Sequence, residues 1–291
     1  MLPLESVPNF SEGRDAPTID AIAAALAGRA RLLDVHSDPD HNRSVFTLVG
    51  EDADLVEAVV AGAEVARDRI DLGRHEGAHP RIGAADVVPV VPLRAGDMER
   101  AKAAGLRVAE RIGELGLPVF LYGELAPGRG PAFFRRGGTK ELANRLADGL
   151  TPDFGPRELH PTAGGVIVGA RRPLIAFNVD LSGAALDDAR TIASAIRERD
   201  GGFAGVRALG LELPSSGRVQ VSMNVEDWEA SALHAILARV EAEAAELGVA
   251  VERAELVGLM PAGAAAAAAG AALRIDGFDA TRLIEPRLLE D

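Results

Sequence analysis

Two histidines lie four residues apart in the sequence, His75 and His79, and Glu76 directly follows the first of them. The spelling H-E-x-x-H is that of zinc peptidases, in which one face of a helix presents both histidines to the metal and the glutamate acts as a base. Here Gly77 interrupts the string and Pro80 follows it, and a residue before proline is driven out of the helical region. We therefore interpret the string as part of an irregular loop and predict no metal.

This loop, residues 74–86, carries several residues that could do chemistry before it enters an apolar run. Arg74 and Arg81 are cations, and His75 and His79 are imidazoles, which accept and donate protons near neutral pH. Loops at strand ends often hold catalytic and binding residues. The competing interpretation is an ordinary solvated turn, and composition alone does not separate the two.

The composition excludes several classes of function. The net charge of −13 opposes broad contact with nucleic acid, and it means that an anionic substrate needs a local basic pocket. Cysteine is absent from the sequence, so disulfides and thiolate metal sites are excluded and a reducing compartment is favoured. The first residues do not resemble a secretory signal, and no apolar run approaches about 18 residues. We predict a cytoplasmic protein with no nucleic-acid or membrane partner.

Strand-like runs alternate with helical ones, which is typical of α/β or α+β proteins. Predicted strands cover 31–37, 43–50, 84–93, 117–124, 164–170, 173–181, 205–213, 218–225 and 249–258. Predicted helices cover 18–28, 52–70, 97–115, 139–150, 184–199 and 227–247, and the alanine-rich tract 261–272 favours another short helix. We expect the first two strands to pair, residues 126–138 to form a loop, and a subdomain boundary near Asp180.

Longer motifs then make the sequence recognisable. They read VPNFSEGR (7–14), LLDVHSDPDHNRSVFTLVG (32–50), RHEGAHPRIGAADVVP (74–89), PVFLYGE (118–124), PDFGP (152–156), GARRPLIAFNV (169–179) and LVGLMP (256–261). In this order, over nearly the whole chain, they resemble the formiminotransferase domain family, the glutamate formimidoyltransferases of histidine degradation. The resemblance implies two subdomains, residues 1–180 and 181–291, each a β-sheet with helices on its outer face. It also implies a ligand groove between them and a homodimer.

The resemblance implies a one-carbon transfer. The family moves the formimino group of N-formimino-L-glutamate to tetrahydrofolate, giving 5-formiminotetrahydrofolate and L-glutamate, so folate is a co-substrate. The exchange of one amine for another needs a proton removed from the attacking nitrogen and a proton delivered to the leaving nitrogen. The match to the family loop assigns this acid/base role to His79. An orienting or structural role is favoured for His75.

The resemblance also implies binding residues. Both substrates carry carboxylates, which guanidinium groups bind through paired hydrogen bonds. The predicted substrate-binding residues are Asn9, Arg14, Asn42, Arg43, Arg74, His75 and Arg81. The predicted folate-binding stretch is Thr162, Ala163, Gly164, Gly165, Val166, Ile167, Val168, Gly169, Ala170 and Arg171. Its glycines would let a flat ring approach closely, and tight strand packing is the competing interpretation.

At three positions the sequence departs from the family pattern: Ala78 replaces a frequent acidic residue, and Ala163 and His36 replace an aromatic residue and an aspartate of the animal members. Two alternatives therefore stay open. One keeps the fold and folate site but uses a different formimino or formyl donor. The other is a folate-binding protein without turnover. Among the remaining polar residues, Arg135 and Arg136 are placed at the mouth of the groove, and His160 and His234 are interpreted as structural.

Overall fold

The computed structural model describes residues 2–77, 80–213 and 216–287. The chain divides into two compact units, Met1–Arg172 and Pro173–Asp291. Each unit contains one β-sheet with helices packed on it, which confirms the predicted fold class. The division precedes the boundary predicted near Asp180, which falls inside a strand. The second cycle of elements begins with that strand, whereas the sequence analysis placed the start in the loop after it.

The first unit contains the strands β1 (Leu4–Ser6), β2 (Asn9–Phe10), β3 (Arg31–Asp38), β4 (Arg43–Gly50), β5 (Ala85–Pro92), β6 (Val119–Gly123) and β7 (Val166–Ala170). Its helices are α1 (Ala16–Ala27), α2 (Asp52–Arg69), α3 (Met98–Glu114), α4 (Pro131–Arg135) and α5 (Gly138–Ala147). Every strand and helix predicted for this unit is present. β1, β2 and α4 were not predicted, and α4 lies in the stretch expected to be a loop.

The N-terminal segment is inserted into the middle of the first sheet. β1 and β2 pair antiparallel with β4 on one side and with β5 on the other. Pro8, which lacks an N–H, separates the two short strands. On the far side of β5 follow β7 and then β6, all three parallel. The predicted pairing of the first two long strands, β3 and β4, is confirmed.

Helices cover the two faces of this sheet unequally. α1, α2 and α3 pack on one face, over a core that includes Phe46, Leu48 and Val88. On the other face, α4 and α5 bury a smaller cluster against β5, β6 and β7, built around Phe120 and Phe134. Arg43 alternates with the core residues of β4 and therefore lies on the face where α4 packs.

The second unit is a four-stranded antiparallel sheet in the order β11-β8-β10-β9. Its strands are β8 (Ile175–Ser182), β9 (Val206–Leu213), β10 (Arg218–Val225) and β11 (Ala250–Val257). Its helices are α6 (Leu186–Ile196), α7 (Leu233–Glu246), α8 (Ala262–Leu273) and α9 (Ile284–Arg287), and α8 is the helix expected from the alanine-rich tract. Across the described parts of both units, no helix combines the length and apolar character that crossing a bilayer requires.

Gly164, just before β7, occupies a position that a side chain would disrupt. Its φ is +68°, in the left-handed region, and it exchanges two backbone hydrogen bonds of 2.9 Å with His160. A Cβ atom at Gly164 would lie 2.1 Å from the carbonyl oxygen of Ile82. The start of β7 therefore packs directly against the end of the 74–86 loop.

We expect Gly164→Ala to lower the free energy of unfolding by about 2 to 4 kcal/mol, because left-handed backbone is costly for alanine and the added methyl must displace backbone. Urea titration followed by circular dichroism measures this change. Gly96→Ala is the control, since an added Cβ there meets no described atom within 4 Å. Equal urea unfolding midpoints for the two variants would contradict the inference that Gly164 requires left-handed backbone packed against Ile82.

Candidate active site

A buried carboxylate, that of Asp86, lies at the centre of the candidate site. Where β2 pairs with β5, Asn9 lies opposite Val87 and Phe10 lies opposite Ala85, so the register skips Asp86. A bulge of this kind turns a side chain out of the normal alternation of a strand. The Asp86 side chain is fully buried, like the rest of β5.

Three donors from three different elements hold this carboxylate. Arg43 Nη1, from β4, and Arg135 Nη2, from α4, donate to Asp86 Oδ2 at 2.9 and 2.6 Å. The backbone N–H of Ile82 donates to Oδ1 at 2.8 Å. Burial alone would raise the pKa of Asp86, but the two guanidinium groups and the backbone amide hold it well below its usual range. The carboxylate is therefore ionised at neutral pH.

Arg43 is the most buried cation of the group. Burial, reinforced by the charge of Arg135, lowers the pKa of Arg43 to about 10, while Asp86 opposes the shift. Arg43 therefore stays protonated at neutral pH. Its Nε donates to Asn9 Oδ1 at 3.0 Å, so the structure brings these two predicted residues together.

Asn42, in the turn between β3 and β4, fastens the start of the 74–86 loop. Its Nδ2 donates to the Glu76 carbonyl at 3.0 Å, and its Oδ1 accepts from the Gly13 N–H at 2.9 Å. Asn42 has φ +45°, a left-handed conformation that asparagine tolerates better than most residues. The loop approaches so closely that a Cβ at Gly77 would lie 2.4 Å from the His41 carbonyl oxygen.

The protein uses both ring nitrogens of His75. Nε2 lies 3.0 Å from the Asn42 carbonyl, which can only accept, and Arg81 Nη1 contacts Nδ1 as a donor. With the Asn42 carbonyl as the acceptor, we assign the proton to Nε2. Burial, followed by the charge of Arg81, lowers the pKa of His75, so the ring is uncharged at neutral pH. This arrangement supports an orienting role for His75.

The predicted acid/base, His79, lies outside the described residues. The described loop is held on both sides of it: Arg81 Nη2 donates to the Gly77 carbonyl at 2.8 Å, and Asp86 holds the N–H of Ile82. His75 itself has an extended backbone, with φ −87° and ψ 125°. The described part of the H-E-x-x-H string is therefore not the helix that a zinc peptidase requires.

The other predicted guanidinium groups lie in different places. Arg14 is exposed and donates from Nε to the Pro39 carbonyl at 2.7 Å, and its charge acts on His75 and Arg81. Arg74, with 89% of its side chain exposed, pairs instead with Asp71. Arg171, after β7, donates to the carbonyl of Arg172. The structure thus brings Arg14 close to Arg81, and it does not bring Arg74 or Arg171 into this group.

The predicted folate stretch splits into two parts. Residues 162–165 pair with the loop: the Leu72 N–H donates to the Thr162 carbonyl, the Ala84 N–H donates to that of Ala163, and the Gly165 N–H donates to that of Ile82. Residues 166–170 form β7, buried between β5 and β6, where a Cβ at Gly169 would meet the Tyr122 ring at 2.4 Å. The geometry of this part supports the packing interpretation. Folate contact by residues 162–171 stays a prediction.

An open depression of about 430 Å³ lies beside the loop. The residues that line it are Leu72, His75, Glu76, Gly77, Arg81, Gly138 and Thr139. Gly138 and Thr139 belong to the first turn of α5, whose backbone N–H groups favour an anion. Within the described residues, no group of three or more histidine, aspartate or glutamate side chains is arranged to hold a metal ion.

Asp86, its pairing with Arg135 and the contribution of α5 were not predicted from the sequence. For Asp86 there was a signal, because a single aspartate in the apolar run AADVVPVVPL must find a partner if it is buried. For Gly138 and Thr139 no signal was present. His160, interpreted as structural, accepts from the Ala163 N–H at 3.1 Å, which supports that interpretation.

Comparison with known proteins identifies the family of the chain. Residues 3–171 match the formiminotransferase domain, N-terminal subdomain, and residues 176–276 match the formiminotransferase domain. The chain is 41% identical over 283 residues to a glutamate formimidoyltransferase of Streptococcus pyogenes, covering 95% of each chain. It is 39% identical over 295 residues to one of Thermoplasma acidophilum, covering 98% of this chain and 97% of the other.

A further relative is the formimidoyltransferase-cyclodeaminase of Sus scrofa, which is 41% identical over 275 residues. That match covers 89% of this chain and 50% of the longer protein. Together with the family matches, these identities show that the chain belongs to the formiminotransferase domain family, which confirms the resemblance drawn from the motifs.

We expect Asp86→Asn to lower the free energy of unfolding by about 3 to 5 kcal/mol near neutral pH, because it leaves two buried guanidinium groups without their counter-charge. Urea unfolding followed by circular dichroism measures the loss. Glu99→Gln removes a carboxylate from an exposed pair with Lys102 and should cost less than about 1 kcal/mol. A similar small loss in both variants would contradict the central role of Asp86.

Wild type and Asp86→Asn should also differ in the pH dependence of their stability. The pKa of Asp86 is lower in the folded chain than its unfolded value of about 3.9, so the stabilisation is fully present above about pH 5. It is lost as the pH falls below the unfolded value toward the folded one. The difference in unfolding free energy between wild type and Asp86→Asn should therefore shrink below about pH 4. A difference that grows on acidification would contradict this sign.

Proposed function

We propose that the protein transfers the formimino group from N-formimino-L-glutamate to tetrahydrofolate, giving 5-formiminotetrahydrofolate and L-glutamate. Membership of the formiminotransferase domain family and the names of its relatives support this activity. The structural observation that carries the proposal is the 74–86 loop, which is fastened at Gly77 and at Ile82 among several guanidinium groups.

The proposed reaction exchanges two amines at one carbon. The folate amine attacks the amidine carbon and forms a new C–N bond, and the bond from that carbon to the glutamate nitrogen then breaks. We propose that His79 accepts the proton from the attacking nitrogen and donates one to the leaving nitrogen. Acid/base catalysis of this kind contributes about 10² to 10⁴ in rate. The exchange changes no oxidation state and needs no covalent enzyme intermediate.

Anionic groups of the substrates would meet positive charge in the depression. Arg81 lines it together with Thr139, and Arg14 acts on the same region from the exposed side. Arg43 and Arg135 pair with Asp86, the charges of Asp86 and Arg135 also act on Arg81, and Glu76 adds one carboxylate to the lining. We propose that Arg81 binds a substrate carboxylate, since a guanidinium presents paired N–H donors to it.

Further parts of the proposal rest on the family resemblance. We propose that residues 162–171 contact folate, that Arg74 and Asn9 contribute to substrate binding, and that the protein acts in the cytoplasm as a homodimer. Its partners would be small molecules, consistent with a net charge of −13 that disfavours nucleic acid.

We expect the purified protein, given tetrahydrofolate and N-formimino-L-glutamate, to release L-glutamate both without added metal and in the presence of a chelator. A glutamate assay coupled to product formation measures this release. N-formyl-L-glutamate replaces the donor in a parallel reaction. Release of L-glutamate from the formyl compound alone would show that the donor is a formyl compound and not N-formimino-L-glutamate. Tetrahydrofolate binding without any transfer would indicate a non-catalytic protein.

We expect His79→Ala to lower kcat by at least about 10², because the proton transfers lose their carrier, while the Kd for tetrahydrofolate stays within about tenfold. Steady-state kinetics and equilibrium titration measure the two effects. His234→Ala, at an exposed position on α7, is the matched control and should keep wild-type kcat. Wild-type turnover in His79→Ala would refute the assignment.

A further inference from the structure

The sheet of the second unit carries a row of polar side chains on the face opposite α6 and α7. Along β8, Val179 and Leu181 pack into the core under those helices, so the alternating residue Asp180 lies on the other face. In register with it are Gln220 on β10 and Arg253 on β11. We call these three residues, together with Arg218 on β10, the Asp180 row.

Asp180 is held by every other member of the row. Gln220 Nε2 donates to Asp180 Oδ1 at 2.8 Å, and Arg218 Nη1 and Arg253 Nε both donate to Oδ2 at 2.8 Å. Burial alone would raise the pKa of Asp180, but the hydrogen bonds from Gln220 and Arg253, with the charges of the two arginines, lower it. The carboxylate is therefore ionised at neutral pH.

Some polar groups of the Asp180 row are not used by the hydrogen bonds within the row. Asp180 and Gln220 are each 1% exposed, whereas 36% of the Arg218 side chain and 52% of that of Arg253 are exposed. In the described part of the chain, no donor reaches the buried Oε1 of Gln220. Each arginine uses one nitrogen on Asp180, so its other N–H donors face away from that carboxylate.

Stability is a poor explanation for such a cluster. Buried ion pairs contribute little net stability because removing the charges from water offsets their attraction, and an unpaired buried acceptor is a further cost. Arg218 and Arg253 each keep N–H donors beyond the one that Asp180 accepts, and the charges of Glu255 and Glu252 also act on Arg253. An anion that also carries an N–H donor would accept from these guanidinium groups and donate to the unpaired oxygen.

We propose that the Asp180 row binds a glutamate whose α-nitrogen carries a substituent. Its α-carboxylate would bind Arg218 and Arg253, and the adjacent N–H would donate to Gln220 Oε1. Glu255 lies in the neighbouring row, level with Asn178, on the side of Asp180 away from Arg218. The charge of Glu255 acts on Arg253, whereas Arg218 lies at the opposite end of the row.

The choice of ligand rests on the proposed function, because both proposed substrates contain this group. N-formimino-L-glutamate is itself an N-substituted glutamate, and folates end in a glutamate that is linked through its nitrogen. The shared chemistry is an N–H next to a carboxylate. Two separate probes distinguish the two sources: N-formimino-L-glutamate, and p-aminobenzoyl-L-glutamate, which is the end of folate without its pterin.

Isothermal titration of the full chain with each probe tests the site. We expect Arg253→Gln and Arg218→Gln to weaken binding of one or both probes by about ten- to a hundredfold, since each removes a charged hydrogen bond. Arg239→Gln is the matched control, because 53% of that side chain is exposed and it pairs with Glu243 on α7. Its affinities should match wild type, and Trp228 fluorescence checks that the second unit remains folded.

Weakening confined to N-formimino-L-glutamate assigns the row to the donor, and weakening confined to p-aminobenzoyl-L-glutamate assigns it to folate. Methylation of the amide nitrogen of the second probe should also weaken its binding wherever that probe binds. The proposal is overturned if neither probe binds wild type, or if both arginine variants keep wild-type affinity for both probes. Arginine-dependent binding without any formimino transfer would refute the proposed function and leave the row intact.

Discussion

The first unit depends on how one buried negative charge is compensated. Moving the carboxylate of Asp86 out of water costs several kcal/mol unless partners surround it. Its partners come from β4, from α4 and from the end of the 74–86 loop. Because the donors belong to three elements that are distant in sequence, satisfying this one charge fixes the positions of all three. The bulge between β2 and β5 is what aims Asp86 at them.

This constraint explains why an irregular loop can serve as a precise support. Backbone without helix or sheet pairing is normally mobile, but here Asn42 and Arg81 fasten the loop near Glu76 and Gly77, while Asp86 fastens it at Ile82. Catalysis by a positioned side chain requires this kind of preorganisation. Glycine is required at position 77 for the same reason, since a Cβ atom there would clash with the turn before β4 and displace the loop.

Apolar periodicity predicted the long strands and helices because it is a local property of the sequence. It missed β1 and β2, which are too short to show a period and are defined only by pairing with β4 and β5. The division between the compact units lies after Arg172, ahead of the boundary predicted near Asp180, and among the described residues β8 pairs with β10 and β11 of the second sheet.

The candidate site shows the same limit at the level of side chains. The motif identified the loop and its histidines, but it did not separate Arg81, which folds back onto Gly77, from Arg74, which points to solvent. Both are arginines of one loop, and their partners differ: Arg74, in the 3₁₀ turn Leu72–Arg74, pairs with Asp71, and Arg81 donates to the Gly77 carbonyl. Glycines 164 and 169 were equally ambiguous until their neighbours were known.

Each unit contains a buried aspartate bound by two arginines, but the arginines differ in their exposure to solvent. Asp86 is also held by a backbone amide, and its arginines are largely buried, with 10% and 15% of their side chains exposed. That network lies inside the fold, where Arg135 Nε finds no acceptor within the part of the chain that the structure describes. The arginines of Asp180 reach solvent, and the neighbouring Gln220 oxygen finds no donor among the described residues. The buried arginines of Asp86 therefore serve the fold, whereas the exposed N–H donors of Arg218 and Arg253 are the groups that we propose for a ligand.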